Sequence, residues 1–365
     1  MKKRDSIETL LSDGVRDGVY PGAVLLVAQG GNIVFFKKEG HRVLTPSPAP
    51  MYKDVIFDLA SLTKPLATTL AIMKLVDEGK IHLDQPLASL IFKALPRDKG
   101  TITPRLLLSH SAGFADWEPL YLALDHLSGE KRKAIVRERL LEMPLTYEPG
   151  KQCLYSDLGF MILEWVVEET TGIQLHRFLD LHFYSPLLLN RTFLSNDTSK
   201  ALFKEDQFAA TEACPWRKKV LLGSVHDENA FAVGGYSGHA GLFGTAEEVY
   251  ALVNLLRLHF RGEREDYLNP NTVKTFFSRQ GIVEGSTWAL GWDTPSPQES
   301  SSGRYFSAKS VGHLGFTGTS VWMDLEQDVI VIFLTNRIHP SRNNEKIKAF
   351  RPKLHDLIME ELIIH

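Results

Sequence analysis

Cysteine is scarce. The 365-residue chain holds two, Cys153 and Cys214, which excludes a disulfide-stapled scaffold. One bridge stays open, but two reduced thiols are the plainer expectation. No run is long and apolar enough to span a bilayer, so no membrane partner is expected. The basic start Met1-Lys2-Lys3-Arg4 meets Asp5 and Glu8 where a leader would turn apolar. No signal peptide is evident, and the cytoplasm is the default expectation. Charge of neither sign dominates: the net is −3 and the pI about 6.5. That leaves no polyanion-binding footprint, and nucleic acid is not expected as a partner. There is no GxGxxG, and no lysine follows the glycine-rich stretch 223–245 as a phosphate loop requires. Internal repeats are absent. What is present is 44% hydrophobic and 23% charged residues, the balance of a soluble globular protein. The length suggests one large or two interleaved domains.

One stretch organises the rest: Phe57-Asp58-Leu59-Ala60-Ser61-Leu62-Thr63-Lys64-Pro65. Leu66, Leu70, Met73 and Val76 recur at helical spacing, and Gly79 ends the run. Pro65 is tolerated only near a helix start, so Ser61 is expected at the helix N-terminus. There the macrodipole and free N–H groups favour developing negative charge. Positions i and i+3 share a face, so Lys64 can reach Ser61. Burial that lowers the Lys64 amine would let it take the serine proton. Alone, Ser-x-x-Lys is usually an ordinary exposed pair.

Along the chain, residues 5–18 read as an amphipathic helix. Ala23–Ala28 and Ile33–Lys37 form a hairpin around Gly30-Gly31-Asn32, and residues 42–54 a Pro-rich loop. Helices are expected over 131–143, 157–171, 174–184, about 246–260 and 343–363, with strands at 321–324 and 329–334. Residues 295–303 read as a surface loop. Strands at both ends with helices between imply one sheet built from both termini and an inserted helical region.

Three further pieces answer Ser61 and Lys64. Tyr155-Ser156-Asp157 stands at a loop-to-helix junction. Beside an ammonium the Tyr155 phenol is expected to acidify and shuttle protons. Asp157 holds Lys64 or caps the helix; a core tyrosine with a capping aspartate is the commoner occurrence of such a tripeptide. His313-Leu314-Gly315-Phe316-Thr317-Gly318 precedes a strand. His313 is placed to donate to a substrate carbonyl or leaving group, Gly315 allows close backbone approach, and the Phe316 N–H with that of Ser61 forms an oxyanion hole. A glycine-rich turn with a solvated histidine explains that segment equally well by itself. The third piece, His226-Asp227-Glu228 with His239, offers zinc-ligand types. Its spacing matches no compact zinc signature, so these residues are expected to be structural, with no metal and no cofactor.

Together, Ser-x-x-Lys, Tyr-Ser-Asp and His-x-Gly resemble the serine β-lactamase-like superfamily, which includes class C β-lactamases, D-alanyl-D-alanine carboxypeptidases and related esterases. Leu107–Gly113 and residues 78–86 are similar to further family segments, so the resemblance covers nearly the whole chain. It implies an α/β (α+β) fold: an antiparallel sheet of five or more strands flanked by helices, with an inserted, mostly helical domain. The expected division is 1–80 with 225–365, and 81–224, with the cleft between. It implies Ser61 as nucleophile, Lys64 and Tyr155 as proton-transfer partners, and His313 where lysine is usual. Two departures bear on substrate. Asp157 stands where asparagine is usual, and an ionised carboxylate cannot donate to an amide carbonyl. Leu314 stands where threonine is usual, removing a hydroxyl that in relatives helps bind a carboxylate. The expectation is a serine hydrolase of small carboxylic esters working through an acyl-enzyme. An amidase or peptidase of muropeptides is the alternative, a weak β-lactamase comes third, and a non-catalytic binding module is disfavoured.

Overall fold

The computed structural model describes residues 3–124 and 129–364; Met1, Lys2 and His365, the outer limits of the expected division, lie outside the described residues. Strands run β1 (Gly22–Gln29), β2 (Asn32–Val43), β3 (Ala49–Pro50), β4 (Phe57–Asp58), β5 (Phe193–Leu194), β6 (Ala213–Cys214), β7 (Lys219–Val220), β8 (Leu242–Gly244), β9 (Ser310–Leu314), β10 (Ser320–Asp324) and β11 (Val329–Thr335). Six form one antiparallel sheet in the order β3-β2-β1-β11-β10-β9. The sheet is thus built from both ends of the sequence, and β9, which carries His313, is its edge.

The central strands are buried on both sides, which is why β1 reads as an uninterrupted apolar run. Ala23, Leu25 and Val27 face one side with Val331 and Phe333, against Ile7 and Leu11 of the helix Lys3–Arg16 and Phe350 and Leu354 of the helix Ile347–Ile358. Val24, Leu26 and Ala28 face the other with Ile330, Ile332 and Leu334, in a core shared with Val249, Leu252 and Leu256 of the helix Ala246–Phe260. That second core continues into the helices that follow residue 81, including Leu158, Phe160 and Val166 of Asp157–Thr171.

Several expected boundaries move. β2 runs on to Val43 rather than ending at Lys37, because Gly40 can take a φ of 73° and pair with Gly22. The loop assigned to 42–54 therefore holds β3. The last helix starts at Ile347 rather than 343. The glycine-rich 223–245 contains a short helix, Glu228–Ala232, and β8. We propose 81–224 as the inserted, mostly helical half. It is not purely helical, since β5 within it pairs with β8 outside it in the ribbon β4-β8-β5.

Candidate active site

The turn before Ser61 is held under tension. Ala60 sits at φ 49°, a region that costs a non-glycine residue about 1–2 kcal/mol. Asp58 secures it: Oδ1 accepts from the Ala60 N–H at 2.9 Å and Oδ2 from the His226 N–H at 2.7 Å. Buried at 2% exposure, Asp58 is pushed upward by desolvation against those two bonds. A 3₁₀ turn over Ala60–Leu62 follows, then a π turn over Lys64–Thr68 and the α-helix Thr69–Asp77. Pro65 has no N–H to give the α ladder, and the wide turn closes instead on Thr69 N–H to Lys64 O. Ser61 therefore heads the helical run, as its sequence context predicts.

The edge strand is bolted to this turn. Thr317 Oγ1 donates to Asp58 O at 2.8 Å and Thr319 Oγ1 to Leu59 O at 3.1 Å. A Cβ on Gly315 would stand 2.6 Å from Leu59 O, so only glycine lets the His313–Gly315 strand end lie against the nucleophile turn. The Tyr155 side is fixed as firmly. Ser156 N–H donates to His110 Nδ1 at 3.0 Å, and Ser156 Oγ donates to Ala115 O at 2.6 Å. The same hydroxyl caps the helix Asp157–Thr171 by accepting from Gly159 N–H. Asp157 is thereby freed from capping.

Lys64 is the hub. Its side chain is fully buried; Nζ donates to Ser61 Oγ at 3.0 Å, to Asp157 Oδ1 at 2.6 Å and to His239 O at 3.3 Å. It also lies 4.8 Å from the centre of the Tyr155 ring. Burial pulls Lys64 toward the neutral amine, but Asp157 opposes it and Lys64 is held above its ordinary 10.5. The condition set for Lys64 as a neutral base, a lowered amine, is therefore not met: an adjacent carboxylate keeps it an ammonium. The expected acidified tyrosine is corrected. Burial raises the Tyr155 phenol more than Lys64 lowers it, so it remains a protonated donor.

His313 is 3% exposed and is lowered to about 3 by burial and then by Lys64. Its Nδ1 lies 2.9 Å from Leu314 O, a contact that assigns the ring proton to Nδ1. Nε2 is left as a buried lone pair without a partner. The free nitrogen of the ring is therefore an acceptor, not the donor expected from the sequence. Phe316 is 48% exposed and lines the cleft with Ser61 and Gly315.

The four polar residues of the glycine-rich region reach the same cleft. Asp227 caps the helix Glu228–Ala232 and lies 2.9 Å from His239 Nε2; His226 pairs with Glu212 at 3.1 Å and Glu228 with Arg342 at 2.6 Å. Asp157, Asp227 and His239 put their polar atoms within 4.8 Å of one another, a set of cation-ligand types. The Lys64 ammonium already bonds the Asp157 Oδ1, and Asp227 and Asp157 raise His239 against its burial.

Ser61, Lys64, Tyr155, Asp157, His313, Gly315 and Phe316 are thus brought together around one cavity of about 710 Å³; all but the buried Lys64 line it. Sequence reasoning did not single out Trp117, Trp288, Arg337 or Arg351, which also line it. His110, whose ring centre lies 4.6 Å from that of Tyr155 at a 38° tilt, was legible only as part of the Leu107–Gly113 segment.

Residues 7–352 match the family described as Beta-lactamase. The chain is 35% identical over 348 residues to a protein of Escherichia coli (strain K12) named "Putative D-alanyl-D-alanine carboxypeptidase", covering 88% of this chain and 79% of that one. It is 33% identical over 367 residues to the N-acetylmuramyl-L-alanine amidase of Bacillus subtilis (strain 168), covering 93% and 82%. Among solved structures, "EstCE1, a hydrolase with promiscuous acyltransferase activity" shares the fold at a TM-score of 0.73 and 23% identity, over 96% of this chain and 98% of that one.

Proposed function

The chain belongs to the Beta-lactamase family and is a serine hydrolase, and from that premise we propose that it forms an acyl-enzyme on Ser61 from a carboxylic ester. The observation that carries this reading is the Lys64 ammonium bridging Ser61 Oγ at 3.0 Å and Asp157 Oδ1 at 2.6 Å. Lys64 and Asp157 act together as the base. The Ser61 proton passes to Nζ as Nζ passes one to Oδ1, and Oγ bonds to the substrate carbonyl carbon. The charge develops at the helix start, facing the N–H groups of Ser61 and Phe316. Collapse breaks the bond to the leaving oxygen, which takes the Tyr155 proton. Tyr155 is refilled from Lys64, and Lys64 from Asp157. Water then repeats the sequence on the acyl-enzyme.

Three features support an ester. Asp157 is an acceptor only and is spent on Lys64, Leu314 offers no hydroxyl, and His313 presents a lone pair. None of them can hydrogen-bond an amide carbonyl or a carboxylate. A second reading, cleavage of an amide bond in cell-wall peptides, is favoured by the names of the carboxypeptidase and amidase relatives, with Tyr155 protonating the departing nitrogen. Turnover of p-nitrophenyl butyrate, nitrocefin and muramyl dipeptide separates them. The ester reading expects kcat/KM for the ester to exceed that for nitrocefin by at least about tenfold, about 1.4 kcal/mol. Faster nitrocefin hydrolysis overturns it. Cleavage of the muramyl peptide alone puts the second reading in its place.

A further inference from the structure

Among the described residues, one cation lining the cleft lacks a counter-charge. Arg351, on the helix Ile347–Ile358, is 4% exposed and borders the same cavity as Ser61. Its Nε is buried without a partner. The charged group that acts on it is another cation, Arg337. Burial and that neighbour lower Arg351 to about 10, which still leaves it charged at neutral pH.

The acids of the cleft are engaged elsewhere. Asp157 holds Lys64, Asp227 holds His239 and Glu228 holds Arg342. Asp293 accepts from Thr287 Oγ1 at 2.6 Å and Thr294 N–H at 2.9 Å. Arg337 does not share the vacancy, because its Nε and Nη2 donate to Phe316 O, at 3.0 and 2.6 Å, and its Nη1 to the carbonyls of Arg342 and Asn344. Lys348, one turn before Arg351, is exposed and paired with Glu345 at 2.8 Å. A buried, unpaired guanidinium carries a large desolvation cost unless an anion answers it. A planar fork of donors matches a carboxylate best.

We infer that Arg351 receives a carboxylate carried by the substrate, so that the enzyme acts on acidic rather than neutral esters. This rests on the ester reading above and takes over the grip that Leu314 forgoes. Arg337 anchors Phe316 and helps set the positive potential around Arg351.

The test uses substrates that differ only in one charge. Mono-4-nitrophenyl glutarate, adipate and suberate are each compared with their methyl esters, and 4-carboxyphenyl butyrate with its methyl ester. In at least one pair, the charged-to-neutral ratio of kcat/KM should fall about tenfold or more in Arg351→Gln, and Arg351→Lys should recover part of it. An unchanged ratio in every pair overturns the inference while leaving the ester reading intact. Should both variants fail to fold, free adipate must compete with a neutral ester in the wild type, and failure to compete is equally fatal. If the folded wild type hydrolyses no ester, the ester reading falls. Protection of Ser61 by adipate against a fluorophosphonate then still decides the role of Arg351.

Discussion

Replacing Asp157 by asparagine should cost stability by an amount that depends on pH. Lys64 is fully buried and its carboxylate partner stands 2.6 Å away. Removing one member of a buried pair typically costs about 3–5 kcal/mol. An independent bound comes from the lysine itself, which can escape by losing its proton. With an ordinary value of 10.5, neutralising it at pH 7 costs about 4.8 kcal/mol, at 1.36 per pH unit. The two figures agree. The sign follows from burial, the largest influence on Lys64, which lowers it once Asp157 no longer opposes. In the variant the unfolded chain then binds more protons than the folded one, so stability rises with pH up to the ordinary value. In the wild type Lys64 is raised, and its contribution persists until pH climbs past 10.5. The penalty should therefore shrink by up to about 2.7 kcal/mol from pH 7 to pH 9. Urea unfolding of both proteins at the two pH values, followed by near-ultraviolet circular dichroism, measures it. A penalty below about 1 kcal/mol at pH 7, or one independent of pH, would refute the account of Lys64 as a cation held by Asp157. The variant should also lose about 10²–10⁴ in kcat at pH 7, since asparagine cannot store the serine proton.

Tyr155→Phe should lower kcat by about 10²–10⁴, and its effect should not add to that of Lys64→Ala, because both lie on one proton path; steady-state kinetics of the single and double variants check this. Leu314→Thr should narrow the gap between p-nitrophenyl butyrate and nitrocefin by restoring a hydroxyl worth roughly 0.5–1.5 kcal/mol, read from the two kcat/KM values. Dialysis against a chelator should leave activity unchanged, since Lys64 already bonds the carboxylate of the Asp157–Asp227–His239 cluster; lost activity restored by zinc would contradict that assignment.

The sequence made legible what short-range rules govern. The helices Asp157–Thr171 and Ala246–Phe260 end where predicted, because Ser156 and Thr245 accept from backbone N–H groups at their starts and Gly172 takes a left-handed conformation at φ 72°. Ser61 and Lys64 were legible because an i, i+3 pair on a helix must share a face. Charge states were not. Whether Lys64 is an amine or an ammonium turns on Asp157, 93 positions away, and no local pattern says which of capping or pairing that carboxylate performs. His313 reads as a donor until its Nδ1 is seen against Leu314 O. Arg351 looks like any arginine on an amphipathic helix, since its lack of a partner is a property of what surrounds it. β2 outran its predicted end because Lys37, Lys38 and Glu39 look like a terminus, while pairing with β1 continues to Gly40.

Intact-mass analysis after treatment with a fluorophosphonate tests the central claim most directly. The wild type should gain one adduct, mapped by peptide sequencing to Ser61, and Ser61→Ala should gain none and lose ester hydrolysis. An adduct that persists on Ser61→Ala, or turnover that survives it, would contradict the assignment of Ser61 as the nucleophile.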